Sequence, residues 1–169
     1  MRFVIAAALA AVSLGMAVPA EAQSRRSTEE VYSALTHADL QSVLARQGYE
    51  ELKQAQPGVF NITVSDGFKM TVEQRVCDAD NQPEGCLGMS IMASWGYSPD
   101  QRPILEELAN TFNGQYSIAK VIVFDDAVAI ERYVITDGGV TLDHVERELQ
   151  EFLNMSDVLV ERMIEALGL

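Results

Sequence analysis

Redox and metal chemistry have little to work with in this sequence: it holds only two cysteines, two histidines and one tryptophan among 169 residues. No G-x-S-x-G elbow and no phosphate-cradling glycine loop occurs, and Ser13 lies in the apolar N-terminal stretch, so acyl-transfer and nucleotide chemistry lack their usual scaffolds. Basic residues are scarce too: 12 Lys and Arg stand against 25 Asp and Glu, a net charge of −13. Such a surface repels phosphate backbones and anionic lipids, which argues against nucleic-acid and membrane-surface roles. Solubility is the simplest reason for the acidity.

Long apolar runs are missing except at the start, "MRFVIAAALAAVSLGMAVPAEAQS". Arg2 gives a positive end, an apolar run from Phe3 to about Val18 follows, and Ala20-Glu21-Ala22 supplies small residues before a cleavage point. This is the layout of a secretory signal peptide. The run is shorter than the ~20 residues that span a bilayer. Residues 1–22 are expected to be removed, 23–35 to form a flexible lead-in, and 36–169 to form one domain in the periplasm or outside the cell. Cleavage would remove Arg2 and Glu21 and leave the charge at −13.

The two cysteines bracket "CDADNQPEGC", Cys77 to Cys86. In an oxidising compartment two cysteines of a small domain usually pair. The flanking runs have strand character, and the intervening residues are turn formers. The expectation is a hairpin clipped at its loop end. Redox catalysis favours Cys-x-x-Cys beside a cation or helix N-terminus, and this spacing and acidity do not fit. An EF-hand beginning at Asp78 and Asp80 fails at Gln82, Pro83 and Met89. Weak cation binding by Asp78, Asp80 and Glu84 stays open.

Elsewhere the patterns alternate between helix and strand. "THADLQSVLARQGYE" has Thr36 as N-cap, Asp39 three residues on and Gly48 as a stop. "YEELKQ" and "GVFNITVS" are expected as strands, and Asp66-Gly67 as a two-residue turn into a strand carrying Phe68, Met70, Val72 and Val76 on one parity. Ile104, Leu105, Leu108 and Phe112 give the next helix its apolar face, closed by Gly114. A hairpin turning at Asp125-Asp126 follows. The last helix, from the N-cap Thr141, carries Leu142, Val145, Leu149, Phe152, Leu159, Met163 and Leu167 as one stripe, with an interruption expected at Asn154–Asp157 and Ser156 recapping its second half. The fold class is α+β: an antiparallel sheet with helices on one face, in the order α-β-β-β-β-α-β-β-α.

Candidate chemistry is thin. His37 and His144 are expected at the surface. His144 and Glu148 are i,i+4 neighbours, yet a catalytic zinc takes three protein ligands. Asp125 and Asp126 are adjacent in a turn and should point apart into water. No catalytic residue, metal site or cofactor is assigned. Trp95, Tyr97, Phe112 and Phe152 are the candidate partner-binding surface.

From Cys77 onward the order of features resembles the YbjN family. The cysteine-flanked hairpin, "LEELANTFNGQYSIAK" (105–120) and "DGGVTLDHVERELQEFL" (137–153) carry the resemblance. The family pattern has Asn-x-Trp-Asn, an Arg-Phe pair and a Lys before a strand. This chain keeps Asn110, Asn113 and Lys120, with Phe112 for Trp and Ser117-Ile118 for Arg-Phe. "GGVT" (138–141) matches the entry to the last helix, and the first helix ending in Gly48-Tyr49 matches upstream. The resemblance covers about residues 36–168. It implies a curved antiparallel sheet similar to type III secretion chaperones, often dimeric, in a family described as sensory transduction regulators with no established catalytic residues. Since fold does not carry function, three readings stand. The first is a non-enzymatic, chaperone-like or regulatory module that binds a protein or peptide through a sheet face or the last helix's apolar stripe. The others are a homodimeric structural or envelope-stress protein, and a hydrolase or metal-dependent enzyme.

Overall fold

The computed structural model describes residues 30–64, 67–77 and 84–169. The signal-peptide region, Asp66, Asp78 and Asp80 lie outside them. Helix α1 (His37–Arg46) opens with a capping box: the Asp39 N–H donates to the Thr36 hydroxyl at 3.2 Å, and the Thr36 N–H donates to the Asp39 carboxylate at 2.9 Å. Strands β1 (Glu51–Gln56), β2 (Val59–Thr63), β3 (Lys69–Arg75) and β4 (Gly88–Gly96) follow. A 3-10 turn (Pro99–Gln101) leads into α2 (Arg102–Gln115), then come β5 (Lys120–Val123), β6 (Ala127–Ile135) and α3 (Leu142–Leu167).

All neighbouring strands are antiparallel, and their order across the sheet is β1-β2-β3-β4-β6-β5. Helix α2 carries the chain from β4 to the far edge, and the β5–β6 hairpin returns to lay β6 beside β4. The cross-strand register puts Phe60, Ile62, Met70, Val72, Met89, Ile91, Ala93, Val121, Val128, Ile130 and Val134 on one face, all buried. Leu40 and Leu44 of α1, Leu105 and Phe112 of α2, and Val145, Leu149, Phe152 and Leu159 of α3 join them in one core. The expected fold class and element order are both present.

Four local expectations change. The first concerns residues 30–35, which belong to the domain rather than to a flexible lead-in. Leu35 and Cys86 exchange backbone hydrogen bonds (2.9 and 3.0 Å), Tyr32 does the same with Val140, and Ala34 and Leu35 are buried. Second, Val76 is 51% exposed rather than interior, because the backbone turns left-handed there (φ 56). Gln74, two residues earlier on the same parity, does face inward, its amide donating to the Leu35 carbonyl at 2.9 Å. Third, α2 buries Leu105, Ala109 and Phe112, leaves Ile104 42% exposed, and runs through Gly114 to Gln115.

The fourth change is in α3, which is unbroken over 26 residues. Ser156 does not recap it: its buried hydroxyl donates to the Phe152 carbonyl four residues back at 2.8 Å, a bond that helix interiors tolerate. Asn154 and Asp157 face outward while Met155 and Ser156 face in, so burial on the inner side outweighs the small propensity cost of this polar run.

Cys77 and Cys86 are joined as a disulfide just beyond the last β3–β4 pair, Arg75–Gly88. Cys86 is also the docking point for Leu35, and the Thr136 hydroxyl donates to its carbonyl at 2.9 Å. Gly85 makes that approach possible: a Cβ there would stand 2.8 Å from the Leu35 backbone, at φ +116. Closing about ten residues restricts the unfolded chain by roughly 2–3 kcal/mol. Cys77→Ser/Cys86→Ser is therefore expected to lose about that much stability in urea unfolding, and mass analysis of the nonreduced protein should find no free thiol. Two alkylatable cysteines in exported protein would contradict it.

Candidate functional site

The sheet has two unlike faces. Its inward face carries the helices. On the outward face, the register aligns Lys53, Asn61, Thr71, Met92, Glu131 and Lys120 in one row across all six strands. Among the described residues no helix covers this face: the helices contact β4, β5 and β6 from the core side. Strand alternation makes this unavoidable, since each residue between two core positions must point the other way.

A groove of about 540 Å³ runs along the outward side of β1–β4, with Glu51, Lys53, Thr63, Lys69, Thr71 and Ser94 in its lining and Met92 on its floor. Charge on the face is organised in pairs: Lys53 with Glu51 (2.6 Å), Arg75 with Glu73 (2.8 Å) and Lys120 with Glu131 (3.0 Å). Hydrogen bonds from Lys53, then its charge, hold the Glu51 carboxyl below the usual carboxylate range. Burial pushes Glu131 up, but hydrogen bonds from Lys120 and Ser90 and the charges of Lys120 and Arg75 outweigh it and hold it low. Lys69 has no ion-pair partner among the described residues. At the other end of the face Tyr133 and Ile135 are exposed, 49% and 67%, with Tyr133 lying over Gly88.

The four aromatic candidates separate. Trp95 is half-buried at the rim, 6.0 Å from the Phe68 ring, and Tyr97 donates its hydroxyl to the Phe124 carbonyl. Phe152 (0% exposed) is a core residue and contributes no surface, and Phe112 (3%) is a core residue that offers only an edge to a groove between α2 and α3. The apolar stripe of α3 is likewise consumed by the core, so it is no docking face. An amphipathic groove of about 350 Å³ lies instead between α2 and the end of α3, with Ile104, Leu108 and Tyr116 on one side and Arg162 and Glu165 on the other.

The polar candidates are also placed. His37 is not a free surface residue: it stacks on Phe60 (5.0 Å, 14°), and its Nδ1 accepts from the Gly58 N–H at 3.3 Å. His144 is exposed and 3.4 Å from Glu148, but Glu148 also holds the guanidinium of Arg132, which donates in addition to the Ile118 carbonyl. Asp125 is solvated and pairs with Arg102 at 3.0 Å, leaving the Asp125–Asp126 turn without a shared carboxylate site. Among the described residues no three His, Cys, Asp or Glu side chains gather as a metal site, and no helix is long and apolar enough to cross a membrane. Glu84 is exposed.

Asn113 clamps β5, its amide donating to the Val121 carbonyl (2.9 Å) and accepting from the Val121 N–H (2.7 Å). The alternation of Phe68, Met70 and Val72 leaves Thr71, Glu73 and Arg75 on the opposite parity of that strand, but sequence reasoning did not single out Lys53, Lys69 or Ser94. The signal was available: odd-numbered strand positions from 51 to 75 are polar, Ala55 and Val59 excepted.

One buried hydroxyl lacks a partner among the described residues, that of Tyr49. Burial, then the charge of Glu146, pushes its phenol up to about 12. An unfolded tyrosine ionises near ~10. This group's contribution to stability is therefore whole below about pH 10 and is lost as pH rises towards 12. Tyr49→Phe should flatten that alkaline fall, measured as urea midpoints at pH 8 and 10.5; equal falls in both proteins would contradict it.

No curated protein sequence matches the chain. Among solved structures its fold is similar to that titled "Crystal structure of YbjN, a putative transcription regulator from E. coli", at TM-score 0.60 and 14% identity, covering 78% of this chain and 93% of that one. At that identity the likeness concerns the fold alone. Residues 29–165 match the family model YbjN, described as "Putative bacterial sensory transduction regulator". With the matched span covering nearly all of the packed domain, the chain belongs to the YbjN family.

Proposed function

We propose that this YbjN-family chain is an exported, non-catalytic regulator or chaperone-like module that holds a protein partner on the open face of its sheet. The observation that carries the reading is the one-sided architecture: three helices on one face, and on the other a 540 Å³ groove across four strands. A sheet face presents alternate side chains of every strand outward, so an extended segment laid on it can be held by side-chain contacts. The signal-like N-terminus and the disulfide support action in an oxidising compartment, with residues 1–22 removed and the packed domain starting near residue 30.

Photo-cross-linking in cells tests this. A cross-linking amino acid at Thr71 or Ser94 should capture a discrete partner protein, while one at Glu151 or Glu161 on the outer side of α3 should not. Capture from α3 alone would overturn the reading. A homodimeric structural role is the second reading, supported by exposed Tyr133 and Ile135 beside the end of β5, beyond which β6 pairs with β4 alone. Capture of only a second copy would select it.

A further inference from the structure

We propose that the open face is built for an acidic, extended segment of the partner, whose carboxylates settle at Lys53 and Lys69. This rests on the reading that the face holds a partner, and adds the chemistry of what it holds. Charge is distributed unevenly over the two sides of the molecule. Of the nine Lys and Arg among the described residues, four (Lys53, Lys69, Arg75, Lys120) stand on the open face, against only three (Glu51, Glu73, Glu131) of the twenty Asp and Glu. The face is thus net positive by one on a chain of net charge −13.

The three carboxylates each pair with another cation, which leaves Lys69 without an ion pair of its own, its charge reaching Glu51 across β2. It stands where the groove is lined by Thr63, Thr71, Ser94 and Asn61; the Thr63 hydroxyl donates to Glu51 and the Thr71 hydroxyl to the Asn61 amide oxygen, which leaves the Ser94 hydroxyl and the Asn61 amide N–H groups to bond a carboxylate or a peptide carbonyl. Lys53 is 70% exposed and its Glu51 partner 50%, so that pair is worth little in water and can open to a competing carboxylate. Strands about 4.8 Å apart and a rise of about 3.3 Å per residue put the Lys53 and Lys69 backbones about 12 Å from each other. Four residues of extended chain span about 13 Å. Carboxylates at i and i+4 of an extended segment therefore match the two ammonium groups.

The same charge map disfavours other occupants. A long polyanion meets the repulsion of the whole chain, whereas two or three carboxylates in the groove lie within a Debye length, about 8–10 Å, of the lysines. A second copy docked isologously through this face would set two net-positive faces against each other.

The test uses the oxidised mature protein and two labelled twelve-residue peptides, one alternating Glu with Thr and one alternating Gln with Thr, read by fluorescence anisotropy. The Glu peptide should bind at least tenfold more tightly than the Gln peptide. K69E should cost at least tenfold for the Glu peptide, while R162E, on the helical side, should stay within twofold. Lys69 is exposed, and an unchanged urea midpoint for K69E keeps loss of binding distinct from loss of fold. Equal binding of the two peptides, or indifference to K69E, overturns the proposal. So does tighter binding of a twelve-nucleotide single strand or of anionic vesicles, or self-association that K69E abolishes. If the peptides fail while Ser94 still cross-links a partner in cells, the open-face reading stands and only the acidic occupant is wrong.

Discussion

Phe152→Ala should cost about 4 kcal/mol of stability, the largest effect of any single change considered. Phe152 is 0% exposed in the middle of α3, within the cluster formed by the three helices and the inward sheet face. Truncating a buried phenylalanine loses the transfer energy of the ring and leaves a cavity that close-packed neighbours fill only in part. With a urea m-value of about 2 kcal/mol/M, the midpoint should fall by about 2 M. The result also separates two roles for this residue. A surface contact would lose partner binding at unchanged stability, whereas a core residue loses stability first. Binding lost without a midpoint shift would overturn the core assignment. Trp95→Ala, at the half-buried rim, should cost less than half as much.

Glu148→Ala should cost about 3 kcal/mol by a different mechanism. Arg132 points from β6 towards α3, where Glu148 meets it; the two side chains are only 14% and 13% exposed. Removing the carboxylate strands a charged guanidinium with the Ile118 carbonyl as its remaining acceptor. Breaking one side of a buried ion pair is far more expensive than the pair's net worth, because the remaining charge keeps its desolvation penalty. The paired replacement Arg132→Met/Glu148→Leu should recover most of the loss, since it removes both charges and fills similar volume. Urea unfolding of the two single variants and the double variant measures the coupling. If the double variant is as unstable as the sum of the singles, the cost lies in packing and not in the stranded charge. Were Glu148 instead a metal ligand with His144, chelator would lower the wild-type midpoint, which this geometry does not predict.

Much of the architecture could be read from local signals. The Thr36–Asp39 capping box, the Pro57-Gly58 turn between β1 and β2, the turn at Asp125-Asp126 and the stripe along α3 are all short-range, and each forms as the residues suggest. Expectations failed where a distant segment decided the matter. Val76 continues a strand pattern but is turned outward, while Gln74 is drawn in by the Leu35 carbonyl, 39 residues away. The Asn154–Asp157 run looks like a break, yet packing of Met155 and Ser156 in the core carries the helix through it. Residues 30–35 follow a polar stretch and share its expectation of a flexible lead-in, and only pairing with Cys86 and Val140 makes them structural. Tertiary context outweighs local propensity in each case because a buried contact is worth more than the few tenths of a kcal/mol that propensity supplies.

The candidate site follows the same division. By itself the sequence determined the family, the fold class, the cysteine clip and the net acidity, because each depends on composition, spacing or near neighbours. Only the tertiary structure decided that the α3 stripe and Phe112 are core, that Glu148 is committed to Arg132, and that Lys53 and Lys69 share one groove. Those two lysines lie on strands with a third strand between them, so their meeting depends on sheet order and register. The sidedness of a sheet is written in every strand, but which side the helices cover is settled only when all of them pack.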